Sequence, residues 1–318
     1  MVGCVQGKDF VGIADLDDSR LAMVLERAAR LKHDRRIGRP HPLLAGRIVA
    51  LIFQKPSLRT RVSFEVGMRE LGGQALYLSP AEVGLGEREK PIDVAKVLSR
   101  MVHGIVARTF KHGDVEELAR HATIPVVNGL TDVEHPCQTL ADLQTIAEHA
   151  GRLEGTVVAY VGDGNNVTHS LMLAAPRVGL SLRIATPPTY RPAPAITEQA
   201  VSLAEEAGTE LTIVDDPYEA VRGVDFVYTD TWYSMGQEDE AAERRPIFKE
   251  YQVNAELLRA AGPAVKILHC LPAHRGDEIT DEALDGPSSI VYDQAENRLH
   301  AQKALLVELL GSPRGNGE

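Results

Sequence analysis

Apolar and polar positions alternate along the chain in blocks of strand length and helix length. Ile48 to Phe53 is a continuous apolar run that reads as a buried strand. After it, Val62, Val66, Met68 and Leu71 recur at helical spacing, and Gly72-Gly73 supplies a stop. Ahead of it, Asp17-Asp18 can cap a helix that keeps Leu21, Val24, Leu25, Ala28 and Leu31 on one face. The pattern then repeats. Residues 76–78 predict a strand, 79–91 a loop rich in glycine and charge, 92–101 a helix, and a further strand ends at Ala107-Arg108. A helix over 115–121 and a strand over 126–128 lead into a polar turn, 131–136, and a helix through Gln138, Leu140, Leu143 and Ile146. Pro136 suits the first position of that helix. Strands alternating with helices predict βαβ units and a parallel sheet.

Residues 150–155 look like a boundary, after which a second series begins with the strand and turn 157–166 and a helix over 170–177. Further strands are expected at 182–185, 210–214, 226–229, 265–269 and 289–292, and a last helix over 297–310. The fold class read from this order is α/β, with two doubly wound domains, 1–150 and 151–295. Each has a central parallel sheet flanked by helices.

At 318 residues the chain suits two domains better than one core. Hydrophobic residues at 44% and charged residues at 25% describe a globular protein. A net charge of -11 argues against nucleic acid or an acidic membrane surface as partner. Cys4, Cys137 and Cys270 are too few and scattered for a disulfide framework or zinc site. Neither a leader-like apolar run near the start nor the roughly 20 apolar residues of a membrane span is visible. The expected location is the cytoplasm.

The polar clusters fall where strands end and helices begin, the usual ligand edge of an open α/β sheet. Ser57-Leu58-Arg59-Thr60-Arg61 offers hydroxyls, guanidinium groups and a helix N-terminus, which together favour a phosphate or another compact anion. Arg108, His135 and Gln138 lie at comparable positions of the first domain. The second domain offers Asn165-Asn166, Asp230 with Ser234-Met235-Gly236, and His269-Cys270-Leu271-Pro272. Each has a simpler reading. His135 could cap a helix, Arg108 could form a surface ion pair, and Cys270 could be a small buried hydrophobe. Gly162-Asp163-Gly164 hints at a dinucleotide turn, but the third glycine is missing and Asn165-Asn166 occupies the turn.

Taken in order, these pieces together with Glu296-Asn297-Arg298 resemble the ornithine branch of the aspartate/ornithine carbamoyltransferase family, over nearly the whole chain. The resemblance implies a first domain for carbamoyl phosphate and a second for L-ornithine, with the C-terminal segment 296–318 packing back on the first. It implies an active site between the domains and near a subunit interface, and a homotrimer or a multiple of trimers. It implies that Ser57, Leu58, Arg59 and Thr60 hold the phosphate, while Arg108 bridges phosphate and carbonyl oxygen. His135 would donate to that oxygen, and Gln138, Leu271 and Arg298 would orient the carbamoyl end. Asp230 and Cys270 would meet the reacting amine, with Cys270 also beside the carbamoyl group. Asn166, Ser234 and Met235 would hold the α-amino and carboxylate groups. Arg61 would brace its loop through an internal ion pair. No step of that chemistry requires a metal or an organic cofactor.

Two positions depart from the family pattern. Leu58 stands where many relatives have threonine, which keeps the backbone N–H and drops a hydroxyl. Gly84 stands where many place Gln or His to reach carbamoyl phosphate across a subunit boundary, so that role is not carried over. The alternatives are a putrescine or N-acylornithine transferase, an aspartate carbamoyltransferase, a nicotinamide-dependent oxidoreductase, or a binding protein that has kept the fold.

Overall fold

A computed structural model describes residues 8–233 and 238–311. The chain forms two compact units, Met1–Ala141 with Asn297–Glu318, and Asp142–Glu296.

The first unit runs α1 (Asp18–Arg36), β1 (Ile48–Phe53), α2 (Leu58–Glu70), β2 (Gln74–Leu78), α3 (Pro80–Val83), α4 (Pro91–Leu98), β3 (Gly104–Arg108), α5 (His112–His121) and β4 (Val126–Leu130). Its sheet has the order β2-β1-β3-β4 with every pairing parallel. Strand β1 lies inside the sheet, which explains its continuous apolar run. Helix α6 (Pro136–Ala150) starts in this unit, and the division between units falls within it.

The second unit runs β5 (Val157–Val161), α7 (Asn166–Ala174), β6 (Ser181–Ala185), α8 (Pro194–Ala207), β7 (Leu211–Val214), α9 (Pro217–Ala220), β8 (Phe226–Thr229), α10 (Ala241–Phe248), α11 (Ala255–Ala261), β9 (Lys266–His269) and α12 (Asp281–Asp285). Its parallel sheet has the order β7-β6-β5-β8-β9. The order reverses at β5, so the carboxyl ends of β5 and β8 are neighbours and form the topological switch point of this unit. Trp232 stacks on Phe248 at 5.8 Å within its core.

The last helix, α13 (Val291–Leu310), crosses the second division, and its part from Asn297 onward belongs to the first unit. Within that unit it is bound by polar contacts. Lys303, with no side-chain exposure, donates to Glu70 Oε2 at 2.7 Å. His41 Nε2 stands 3.1 Å from the same amine, and Glu308 pairs with Arg20 and Arg27.

The expected strand at 289–292 is not formed. Ser289 makes one isolated bridge to Ile267, and the helix begins at Val291. Buried Val291, Gln294, Arg298, Ala301 and Leu305 follow helical spacing, whereas Tyr292 is exposed, so the short apolar run was the helix's first turn. The expected loop 79–91 contains α3, started by Ser79 and Pro80 and closed by Gly84 in the left-handed region (φ 59). Helix α7 begins at Asn166, four residues earlier than its apolar pattern indicated, because Asn165 caps it.

Candidate active site

In the first unit, β1 delivers the chain to the start of α2. Ser57 is the N-cap; its hydroxyl accepts from the Thr60 N–H at 3.3 Å and donates to Thr60 Oγ1 at 3.0 Å. The N–H groups of the first helical turn point out of the helix and carry the positive end of its dipole. Leu58 is 73% exposed, so the residue that replaces threonine contributes backbone rather than packing. Arg61 pairs with Glu65 at 2.8 Å and lies 3.8 Å from the centre of the Tyr77 ring.

Arg298 reaches this turn from α13. Its Nη1 donates to Gln138 Oε1 at 2.6 Å and its Nη2 to Thr60 Oγ1 at 3.2 Å. With the Gln302 amide oriented so that its oxygen faces Arg298, that oxygen accepts from Nε at 3.1 Å and Nη2 at 2.9 Å, and its nitrogen donates to Ser63. Ser63 in turn donates to the Arg59 carbonyl at 2.6 Å. Gln302 was not singled out in the sequence, where it reads as one more polar residue of a helix.

His135 is buried at the start of α6. Burial, and then the positive charges of Arg298, Arg108 and Arg59, hold its pKa well below the usual histidine range. The imidazole is therefore neutral at pH 7, and three guanidinium groups gathered from α2, β3 and α13 act on one point. Such a concentration of positive charge suits an anion. The structure thus brings together Ser57, Thr60, Gln138 and Arg298 by hydrogen bonds, and Arg59, Arg108 and His135 by their mutual field. Cys137 is different. Burial pushes its thiol up to about 12 and it donates to the Asn128 carbonyl, so it has no thiolate to offer.

In the second unit the polar groups collect at the ends of β5, β8 and β9. Asn165 caps α7, its side-chain oxygen accepting from the N–H groups of Val167 at 3.0 Å and Thr168 at 3.3 Å. Its amide nitrogen donates to Asp230 Oδ2 at 2.9 Å. The Cys270 thiol donates to Asp230 Oδ1 at 2.9 Å. Both carboxylate oxygens thus accept a hydrogen bond, which fixes the orientation of the Asp230 side chain. Asn166, the first residue of α7, is buried. Asn165 stood in the sequence only as a turn residue; its bond to a carboxylate 65 positions away leaves no local signal.

Behind Cys270, His269 Nε2 faces Glu278 Oε1 at 3.0 Å, with neither side chain exposed, and the Leu271 N–H donates to His269 Nδ1 at 2.9 Å. These bonds set the tautomer, with the proton on Nε2. They also hold Leu271, whose φ of 58 turns its carbonyl out of the strand direction. Asp230, His269 and Cys270 place one potential metal-ligand atom each within 4.8 Å of one another. A cation there would have to displace a hydrogen bond from His269, since both ring nitrogens are engaged. Ser234, Met235 and Gly236 lie outside the described residues.

The turn after β5 is filled by the protein itself. A Cβ at Gly164 would stand 2.3 Å from Pro192 N and 2.5 Å from the Arg191 carbonyl carbon, and the α7 N-terminus is capped by Asn165. The space and donors that a dinucleotide pyrophosphate uses in such folds are therefore taken.

Both halves of the chain match known proteins. Residues 8–148 match the carbamoyl-P binding domain of aspartate/ornithine carbamoyltransferase, and residues 154–309 match its Asp/Orn binding domain. An ornithine carbamoyltransferase of Thermococcus kodakarensis is 50% identical over 311 residues, covering 98% of this chain and 99% of its own. The solved ornithine carbamoyltransferase of Pyrococcus furiosus superposes with a TM-score of 0.94 at 50% identity, covering 98% of this chain and 100% of the other. That of Gloeobacter violaceus gives 0.85 at 47% identity, covering 96% and 99%. With both halves matched and each half carrying its own polar cluster at the strand ends, the chain belongs to the aspartate/ornithine carbamoyltransferase family.

Proposed function

We propose that the chain transfers the carbamoyl group of carbamoyl phosphate to the δ-amine of L-ornithine, giving L-citrulline and phosphate. The observation that carries this reading is the buried neutral His135 under the combined field of Arg59, Arg108 and Arg298. A dianionic acyl phosphate needs that field, and a carbonyl oxygen gaining charge needs an N–H donor that stays in place.

The amine attacks the carbamoyl carbon, the C–N bond forms, and the carbonyl oxygen gathers negative charge before the bond to phosphate breaks. Donors aimed at the carbonyl oxygen and at the leaving phosphate stabilise this step more than the bound reactants. Ser57, the Leu58 backbone, Arg59 and Thr60 hold the phosphate, and Arg108 spans phosphate and carbonyl oxygen. His135, neutral, donates to the carbonyl oxygen without itself titrating near neutral pH. Gln138 and Arg298, already bonded to each other, orient the carbamoyl end together with the Leu271 carbonyl. An ammonium is not a nucleophile. Asp230, which accepts from Asn165 and Cys270, binds the amine and takes up its proton. Asn166, Ser234 and Met235 bind the amino-acid head. The two substrate domains span 1–150 with 296–318 and 151–295, the assembly is a homotrimer or a multiple of trimers, and the location is cytoplasmic. The Pyrococcus furiosus relative is named as anabolic, which supports citrulline synthesis as the working direction. No described helix is long and apolar enough to cross a membrane.

The test is carbamoyl transfer from carbamoyl phosphate with L-ornithine, putrescine, N-acetyl-L-ornithine and L-aspartate run in parallel. Turnover with L-ornithine is expected. Preference for another amine refutes the second-unit assignments and leaves the first-unit ones standing; no turnover with any refutes both.

A further inference from the structure

Asp163 and Arg244 are buried, ionisable and paired, and the chemistry above uses neither. Arg244 is 7% exposed. Its Nη1 donates to Asp163 Oδ2 at 3.0 Å and to the Trp232 carbonyl at 2.8 Å, and its Nε donates to Glu240 Oε2 at 2.8 Å. The guanidinium lies 4.6 Å from the centre of the Tyr190 ring. Asp163 lies in the turn after β5, where its own carbonyl accepts from the Asn165 N–H at 2.8 Å and the Thr168 hydroxyl at 2.9 Å. Trp232 lies in the turn after β8, two residues past Asp230.

These bonds close a ring. The turn after β5 is joined to the turn after β8 once by Asn165 to Asp230 and once by Asp163 through Arg244 to the Trp232 carbonyl. We infer that Arg244 is a positioning residue for the L-ornithine half-site, setting the spacing between Asn165-Asn166 and Asp230 without touching the substrate. The inference rests on the reading of the second unit as the ornithine site. Arg244 meets three acceptors from Nη1 and Nε, which suits a rigid planar fork better than the compact ammonium of lysine. The stability account is weaker, because a buried ion pair contributes little net stability against its desolvation. This pair joins the two turns that carry the polar groups.

The experiment is steady-state kinetics of wild type, Arg244→Lys, Arg244→Met and Asp163→Asn, with each substrate varied in turn and folding checked by far-UV circular dichroism. For Arg244→Met the KM for L-ornithine is expected to rise about tenfold or more while that for carbamoyl phosphate stays within about twofold, with a smaller fall in kcat. Arg244→Lys should recover part of the loss. An unchanged ornithine KM in folded Arg244→Met, or equal rises for both substrates, overturns the inference. If Arg244→Met does not fold, Asp163→Asn decides in the same way: a selective rise in ornithine KM supports the inference and an unchanged one overturns it. Wild type reports on the function separately, since lack of L-ornithine turnover there overturns both readings.

Discussion

Asn165 offers the sharpest separation of two roles in one side chain. Its oxygen caps α7, and its nitrogen holds Asp230. Asn165→Ser keeps a capping oxygen but replaces the amide donor to Asp230 with a hydroxyl one atom shorter; Asn165→Ala removes both. Loss of an N-cap costs about 1 kcal/mol, which in a unit of this size lowers Tm by about 2–4 °C. Loss of a hydrogen bond to a charged group costs about 1.5–3 kcal/mol, or about 10–150-fold in kcat/KM if it is realised at the transition state. The two variants should therefore lose similar activity toward L-ornithine, yet only Asn165→Ala should melt early. The assay is citrulline formation beside a thermal melt on the same preparations. Full activity in Asn165→Ser would refute the role given to the bond with Asp230. A wild-type Tm in Asn165→Ala would refute the role given to the cap.

Three further outcomes are expected. Arg108→Met should raise the KM for carbamoyl phosphate by about 10–100-fold, the loss of a hydrogen bond to a charged group, and should weaken inhibition by inorganic phosphate in parallel. Gly164→Ala should destabilise the second unit by about 1–3 kcal/mol, because its methyl meets the Arg191-Pro192 backbone rather than a flexible side chain; urea unfolding measures it. The folded-state pKa of His135 is depressed, so below about pH 6.5 the unfolded chain binds a proton that the folded chain does not. Stability from this group is complete at higher pH and falls as pH drops through about 6.5. The loss deepens as pH falls further below that value, and it should vanish in His135→Gln when unfolding midpoints are compared across pH.

Much of the fold is legible from local pattern because βα units write their order into it. The run at β1, the cap at Ser57 and the stop at Gly72-Gly73 each act over a few residues. The segment 289–292 misled because four residues of mixed apolarity fit a strand and a helix start equally well. At the candidate site, the positions at strand ends could be read but not their partners. Gln302 against Ser63, Asn165 against Asp230 and Arg244 against Asp163 are pairings between residues distant in sequence. Hydropathy period carries no trace of them, since a buried polar residue looks like a surface one until its partner is known. Gly84 illustrates the reverse: its departure from the family pattern was plain in the sequence, and the structure gives it a left-handed helix end.

The first unit is made from two stretches of chain, and the second interrupts it. On the ribosome, Met1–Ala141 is therefore translated before Arg298, Gln302 and Lys303 exist. Until they arrive, Glu70 lacks its lysine and Thr60 its arginine, while the interrupting unit already has every strand of its own sheet. Order of completion thus differs from order of synthesis. The middle of the polypeptide can complete its own sheet first, while Thr60 and Glu70 of the first unit wait for Arg298 and Lys303 of the last helix.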